Sequence, residues 1–219
     1  DLLVNFANGL GIFLLIKPVV TWLSESLDWK LLSLDIGPSW LHFLFAFIVI
    51  DGSRYWVHYA HHRVSILWKF HRVHHSSETL DASSGLRMHA IDFIQLGVIP
   101  IFWFGLLFDI IALEEWLLPS VLSVGIIFDA FHPSSLRFPL QNPVCKIWHR
   151  FFNNPHFHAW HHIKDAQLCD GNYGNVLLIW DRTFGTEVTK DHLPTEFGIT
   201  DDQSIVIDPI SLQLLRSAQ

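Results

Sequence analysis

Three long apolar stretches, separated by polar and histidine-rich segments, dominate the pattern of this chain. They cover about residues 2–23, 40–59 and 91–131, and acidic residues from Asp109 onward interrupt the third. A helix needs about 20 apolar residues to cross a bilayer. The first two stretches reach that length, and the third is long enough for two tilted helices or a partly inserted hairpin. The pattern therefore predicts an all-α fold, an integral membrane helical bundle with about four membrane-embedded helices.

The polar segments predict further helices that extend beyond the apolar ones. The helix of the second stretch is expected to continue through His58 and His62, and another helix is expected at about residues 66–75. Proline is favoured in the first turn of a helix, so a helix starting near Pro155 is expected as well. These helices would form a cap at the ends of the membrane-embedded bundle.

Eight of the 15 histidines fall into three short groups within these predicted helices. The groups are His58 and His62; His71, His74 and His75; and His158, His161 and His162. Spacings of three and four residues place side chains on one side of a helix, roughly 5–6 Å apart at Cβ. Several imidazoles can therefore converge on one metal ion or on two adjacent ions.

The number of grouped histidines indicates two metal ions. Imidazole is a suitable ligand for iron, zinc, copper and nickel. A structural zinc site has about four protein ligands and a catalytic site about three, so eight histidines exceed one tetrahedral site and fit two ions. No HExxH sequence occurs, which excludes the simplest metalloprotease interpretation. A cluster of titrating histidines that senses pH or conducts protons is the alternative that the spacing leaves open.

Other histidines and nearby carboxylates have alternative interpretations. His61 and His156 lie within the groups but at a different helical phase, so each would point away from its neighbours. Asp51 and Asp92 lie at helical spacing from histidines and could orient an imidazole through its second nitrogen. A capping or interfacial role for these two carboxylates is equally consistent with the sequence. Three isolated histidines are expected to be structural: His42, His149 and His192.

The composition agrees with a membrane protein and argues against nucleic-acid binding. Hydrophobic residues make up 50% and charged residues 16% of the 219 residues, whereas an ordinary soluble domain has about 25% charged residues. The net charge is −7 and no basic stripe is visible, so no nucleic acid is expected as a partner. Cys145 and Cys169 are expected to be reduced thiols rather than a disulfide framework.

The distribution of basic residues predicts the orientation in the membrane. Most lysines and arginines lie in residues 60–90 and 132–219, which also hold the histidine groups beyond His58. The positive-inside rule places such segments in the cytosol. A multi-pass protein of the endoplasmic reticulum or of a bacterial inner membrane is therefore expected, with a cytosolic helical cap that carries the dimetal site.

The three histidine groups recur as ordered boxes with further motifs around them. In chain order they read HxxxH, HxxHH and HxxHH, followed by Asn-Tyr-Gly at residues 172–174 and Trp-Asp-Arg-Thr-Phe-Gly-Thr at residues 180–186. This arrangement resembles the fatty acid hydroxylase and sterol desaturase superfamily of integral membrane di-iron enzymes, and around the third box it is similar to the alkylglycerol monooxygenase-like branch. The resemblance covers about residues 51–186 and implies that residues 1–219 form a single domain of this kind.

The resemblance also gives a role to two isolated histidines. Residues 87–92 resemble the RxHPxE element of the family, with Ala90 in place of its proline and Asp92 in place of its glutamate. Residues 132–139 resemble its isolated histidine, which precedes a short polar stretch and a proline. Phe128 stands where some members have another histidine, which implies fewer ligands on one metal. The implied ligand set is His58, His62, His71, His74, His75, His89, His132, His158, His161 and His162.

The resemblance implies O2-dependent oxidation of a C–H bond in a membrane lipid or sterol at two iron ions, without catalytic side chains beyond the ligands. Hydroxylation is the expected outcome, and desaturation at the same centre is the alternative. A non-catalytic metal-binding or transport protein is a third hypothesis, but a transporter should carry its ligands near the midplane of its spans. Neither CxxCH nor GxGxxG occurs, so a separate electron-transfer partner or a reduced cofactor is expected. Zinc can replace iron in purified samples.

Overall fold

The computed structural model describes residues 38–108, 116–165 and 168–200, together with Pro18 and Trp22. These residues form helices connected by loops, with no β-strand among them, so the predicted all-α class is confirmed. The helices are α1 (Ser39–Arg63), α2 (Ser65–His75), α3 (Ala90–Leu107), α4 (Leu117–Phe131), α5 (Pro143–Trp148), α6 (Pro155–His161) and α7 (Ile179–Phe184), with a short 3-10 helix at Ser84–Leu86.

The membrane-embedded bundle predicted from the apolar stretches is not confirmed. Within the described ranges, no helix combines the length and the apolar character that crossing a membrane requires. Among the described helices the longest is α1, which has 25 residues but carries Asp51 and Arg54 near its middle. Apart from Pro18 and Trp22, the first predicted span lies outside the described residues, and so does the bend that begins at Asp109.

The apolar core lies where α1 meets α3 and α4. Ala46 and Ile50 of α1, Phe104 of α3 and Leu117 of α4 are buried there, and Phe108 packs edge-on against Phe45. Full burial of a large apolar side chain contributes about 1.5–3 kcal/mol to folding. This core fixes α1, and so it fixes the histidines that α1 carries near its C-terminal end.

The helices that carry histidines begin and end close to their predicted positions. α1 continues through His62 as expected, and one extended residue, Val64, separates it from α2. Pro155 occupies the first turn of α6, and the Asn154 side chain caps this helix by accepting a hydrogen bond from Phe157 N at 3.1 Å. The cap satisfies a backbone donor that the helix itself leaves free.

Asp51 ties α1 to the loop before α7. Its carboxylate accepts hydrogen bonds from Val176 N, Leu177 N and Trp180 Nε1, at 3.1, 3.1 and 2.8 Å. These donors occupy both carboxylate oxygens, and no imidazole is among them. Of the two roles considered for Asp51, the structure therefore shows the interfacial one.

Candidate metal centre

Eight buried or half-buried histidines meet in two neighbouring groups. The five-histidine group contains His58, His62, His71, His75 and His161. The three-histidine group contains His74, His158 and His162. In each group, one ring nitrogen from every residue lies within 4.8 Å of the others. The structure thus brings together all eight histidines of the three sequence boxes.

Each HxxHH box contributes to both groups. On α2, His71 and His75 belong to the five-histidine group, whereas His74, which lies between them in sequence, belongs to the other. In the box at the end of α6, His161 joins the five-histidine group, whereas His158 and His162 join the other. The groups are in direct contact, since the rings of His75 and His162 stack with centroids 4.4 Å apart. This arrangement suits two adjacent metal ions.

The nitrogens of the five-histidine group are placed as metal ligands would be. His58 Nε2 and His71 Nε2 are 3.0 Å apart, and Nε2 of His62, His75 and His161 is buried without a hydrogen-bond partner. Two nitrogens that each lie about 2.1 Å from one metal ion, at a right angle, are about 3.0 Å apart. Buried polar atoms nearly always have partners, so these unpaired nitrogens need an explanation, and a bound cation supplies one.

Backbone carbonyls orient two of these imidazoles. His58 Nδ1 donates to the Tyr173 carbonyl at 2.9 Å, and His161 Nδ1 donates to the Gly171 carbonyl at 2.7 Å. A proton held on Nδ1 leaves the Nε2 lone pair free to face the group. The loop at residues 171–173 therefore fixes both the tautomer and the direction of these rings.

Asp92 orients a third imidazole. Its side chain is fully buried, and Oδ2 accepts from His71 Nδ1 at 3.0 Å. Oδ1 lies 3.0 Å from Nε2 of His61. Burial opposes the charged form of His61, but the adjacent Asp92 carboxylate and the hydrogen bonds to the Val57 carbonyl and Gln95 Oε1 outweigh burial and raise its pKa. His61 thus balances a buried carboxylate and belongs to neither group, as its helical phase predicted.

The three-histidine group has a fourth imidazole at its edge. His74 Nε2 and His162 Nε2 are 3.0 Å apart, and His158 Nε2 is buried without a partner. The ring of His132 lies 4.0 Å from that of His158, and its Nδ1 is also buried and unpaired. The position of His132 therefore agrees with the ligand role that the family resemblance implied.

Burial keeps these imidazoles neutral. It lowers the pKa of His74 to about 4 and the pKa of His161 to about 3. Burial and the neighbouring imidazoles together lower the pKa of His62, His75 and His158 well below the usual range. Only a neutral imidazole can bind a metal ion, so the groups are in a ligating state at neutral pH.

His89 is not brought into either group. It stands at the N-terminus of α3, where its Nδ1 accepts a hydrogen bond from Ile91 N at 3.1 Å and its ring packs near Phe70. Because Nδ1 accepts this bond, the neutral ring carries its proton on Nε2, and neither nitrogen has a lone pair free for a metal ion. The ligand role implied by the altered RxHPxE element is therefore not supported. Four further histidines that were not expected to be ligands also lie outside the groups: His42, His149, His156 and His192.

Two further residues near His62 were not foreseen from the sequence. Asp170 Oδ1 lies 3.6 Å from His62 Nδ1, and its other oxygen pairs with Arg63 at 3.1 Å. Cys169 lies close enough to form a third potential ligand group with these two residues. However, burial raises the pKa of Cys169 to about 12, so its thiol stays protonated. Asp170 therefore pairs with Arg63 beside His62, and these residues do not form a separate metal site.

The loop that supplies the orienting carbonyls is held by Asp181. This buried carboxylate accepts from Tyr173 N at 2.8 Å and from Gly174 N at 2.7 Å. A Cβ on Gly174 would lie 2.7 Å from Asp181 Oδ2, so only glycine fits there. The Asn-Tyr-Gly and Trp-Asp motifs therefore act together to position the carbonyl that holds His58.

Replacing Asp92 with asparagine is expected to weaken metal binding about 10- to 100-fold. The uncharged amide would hold the Nδ1–H of His71 more weakly than the carboxylate does, and loss of such a partner typically has an effect of about that size. Metal affinity would be measured by competition with a chromophoric chelator. Asp191→Asn, which changes an exposed carboxylate in the same way, is the matched control. Equal affinity in Asp92→Asn and the control would contradict the orienting role.

Comparisons with known proteins match the chain to one family and to several named relatives. The family model for fatty acid hydroxylases matches residues 43–186. Alkylglycerol monooxygenase of Xenopus tropicalis is 33% identical over 164 residues, or 74% of this chain and 34% of that protein. Ornithine lipid hydroxylase OlsE of Rhizobium tropici is 29% identical over 174 residues, which cover 76% of this chain and 48% of that protein. Lathosterol oxidase of Rattus norvegicus is 29% identical over 182 residues, which cover 78% of this chain and 55% of that protein. The chain thus spans only 34–55% of these relatives, and no solved structure matches it.

Proposed function

Because the chain belongs to the fatty acid hydroxylase family, we propose that it is an O2-dependent di-iron oxidoreductase that hydroxylates a C–H bond of a membrane lipid or sterol. The observation that carries the proposal is the pair of adjacent histidine groups with inward-facing, unpaired nitrogens. Such an all-nitrogen donor set suits iron, and it suits zinc as well. Iron held there would supply the redox chemistry by which O2 oxidises an unactivated C–H bond.

The ligands in this proposal follow the two groups. The five-histidine group would hold one ion, and His74, His158 and His162, with His132 beside them, would hold the other. The smaller second set agrees with Phe128 standing where some family members have a histidine. His89 is left out of the proposed ligand set because its Nδ1 caps α3.

A cavity beside both groups supports a role in positioning a substrate. It is small, about 30 Å³, and its wall includes His58, His71, His74, His132 and His158. Met88 and Leu96 provide apolar surface on the same wall. The chain would hold one carbon of an apolar substrate next to the histidine groups and keep water away from it, which is the part a protein plays in such chemistry.

The names of the relatives support the substrate class. They include enzymes named for an alkylglycerol, an ornithine lipid and a sterol. A lipid or sterol substrate in turn favours a membrane location, with the metal site at the cytosolic face as the basic segments suggest. Electrons would come from a separate protein partner or a reduced cofactor.

Mass spectrometry of products tests the proposal. The full chain, purified in detergent and loaded with ferrous iron without oxygen, would be mixed with membrane lipids, a chemical reductant and isotopically labelled O2. We expect a lipid or sterol that gains one labelled oxygen atom. Loss of two hydrogen atoms instead would indicate desaturation, the second candidate. Iron-loaded protein that alters no lipid would contradict both.

A further inference from the structure

A polar network of three side chains lies on the wall of the same cavity. Arg54 Nη2 donates to both carboxylate oxygens of Asp129, at 3.0 Å each. With its amide oriented to satisfy both partners, Asn175 donates to Asp129 Oδ1 at 2.7 Å and accepts from Arg54 Nη1 at 2.9 Å. All three residues line the cavity. The network therefore joins α1, α4 and the loop before α7 at one place on the cavity wall.

The helices place this network directly beside candidate metal ligands. Arg54 precedes His58 by one turn of α1, and Asp129 precedes His132 by about one turn at the end of α4. Asp129 Oδ1 lies 3.8 Å from His132 Nε2, which is too far for a hydrogen bond. Gly125 leaves space for the guanidinium, because a Cβ there would lie 2.5 Å from Arg54 Nη1.

Arg54 and Asp129 retain capacity for further hydrogen bonds. Their side chains are 17% and 18% exposed, although both lie among helices. A guanidinium has about five N–H donors and a carboxylate has about four lone-pair positions, and the bonds described above do not use all of them. Arg54 Nε has no partner. A hydroxyl group could accept a hydrogen bond from the arginine and donate one to the carboxylate at the same time.

The charges of Arg54 and Asp129 cancel, so the network favours a neutral polar group over an anion. A phosphate or carboxylate would have to approach the Asp129 carboxylate and would be repelled. We infer that this network is a subsite that binds a hydroxyl group of the lipid and so determines which carbon lies next to the histidine groups. The inference rests on the proposed function for its class of ligand, a lipid, but it concerns binding and not oxidation.

Equilibrium binding to zinc-loaded protein tests the subsite without turnover. The probes are tritium-labelled 1-O-hexadecylglycerol and hexadecyl propyl ether, which has the same carbon and ether skeleton but lacks both hydroxyls. Hydrogen bonds to charged groups are strong enough that the full chain in detergent should bind the hydroxylated probe about 10- to 100-fold more tightly. Equal affinity for the two probes would overturn the inference.

A double variant, Arg54→Met with Asp129→Leu, removes the network without leaving an unpaired buried charge. We expect the affinity ratio of the two probes to fall to about one, with zinc content unchanged. Arg137→Gln, which alters an exposed arginine, should leave the ratio as it is. A ratio preserved in the double variant would overturn the subsite. Loss of zinc would overturn it as well, because the network would then support His132 rather than the lipid.

Asn175→Ala provides a second route if the double variant does not fold. It keeps both charges and removes only the amide that aligns them, so a clear fall in the affinity ratio is expected, and an unchanged ratio would overturn the inference. The result of these binding measurements can be distinguished from the result of the oxidation experiment. Iron-loaded protein that oxidises no lipid would contradict the oxidoreductase proposal, whereas the selectivity of the zinc-loaded protein for the hydroxylated probe would still stand.

Discussion

Replacing His161 with alanine is expected to release the metal ion from the five-histidine group and to abolish lipid oxidation. His161 is fully buried, its Nδ1 is held by the Gly171 carbonyl, and its Nε2 faces the group without a partner. Structural zinc sites with four ligands bind with about 10–16 kcal/mol, or about 3 kcal/mol for each ligand. Loss of one ligand should therefore weaken binding about a hundredfold. Metal per chain, measured by mass spectrometry after dialysis, and product formation are the two readouts.

The matched control for this prediction is His192→Ala. His192 is exposed, its ring packs against Trp160, and it lies in neither histidine group. Its replacement should leave metal content and activity unchanged. Full activity in His161→Ala would refute the assignment of this residue as a ligand. Equal loss in both variants would show that the effect is a general loss of stability rather than loss of a ligand.

The helices that carry the histidines could be predicted because helical spacing is a local property. Side chains three and four residues apart share a face whatever the rest of the chain does. The bounds of α2 and the start of α6 at Pro155 agree with the prediction for this reason. The same logic placed His61 outside both groups. The position of each histidine around its helix thus determines which imidazoles can meet.

The division of each HxxHH box between two groups could not be predicted from spacing. His74 and His75 are adjacent in sequence, and only the packing of α2 against α1 and α6 determines which group each one joins. The carbonyls of Gly171 and Tyr173 were also beyond prediction, because every residue has a carbonyl and only the fold decides which one faces an imidazole. Tertiary contacts, not composition, carry this part of the site.

Competing local interactions determine the roles of two residues. Asp51 was considered as a partner for an imidazole, but three donors around the loop before α7 occupy its carboxylate. His89 was implied as a ligand, but it caps α3. Arg54 and Asp129 are recognisable in the sequence, since each stands about one helical turn before a candidate ligand. A polar residue at that spacing in an apolar helix indicates the wall of a site.

Replacing His158 with alanine is expected to lower the metal content from about two ions per chain to about one and to abolish lipid oxidation. His158 belongs to the three-histidine group, its Nε2 is unpaired, and its ring contacts that of His132. The five-histidine group does not include it and should keep its ion. The change therefore separates the two proposed sites, which the His161 variant alone does not do.

His156→Ala is the matched control for His158→Ala, because both residues are buried on α6. His156 Nε2 donates to the Lys190 carbonyl at 2.6 Å, on the side of the helix away from the groups. The control should retain about two ions per chain and most of the activity. Two ions retained in His158→Ala would show that the three-histidine group does not hold metal. Loss of both ions would show that the groups are not separate sites, since an independent five-histidine site would survive removal of a side chain it does not use.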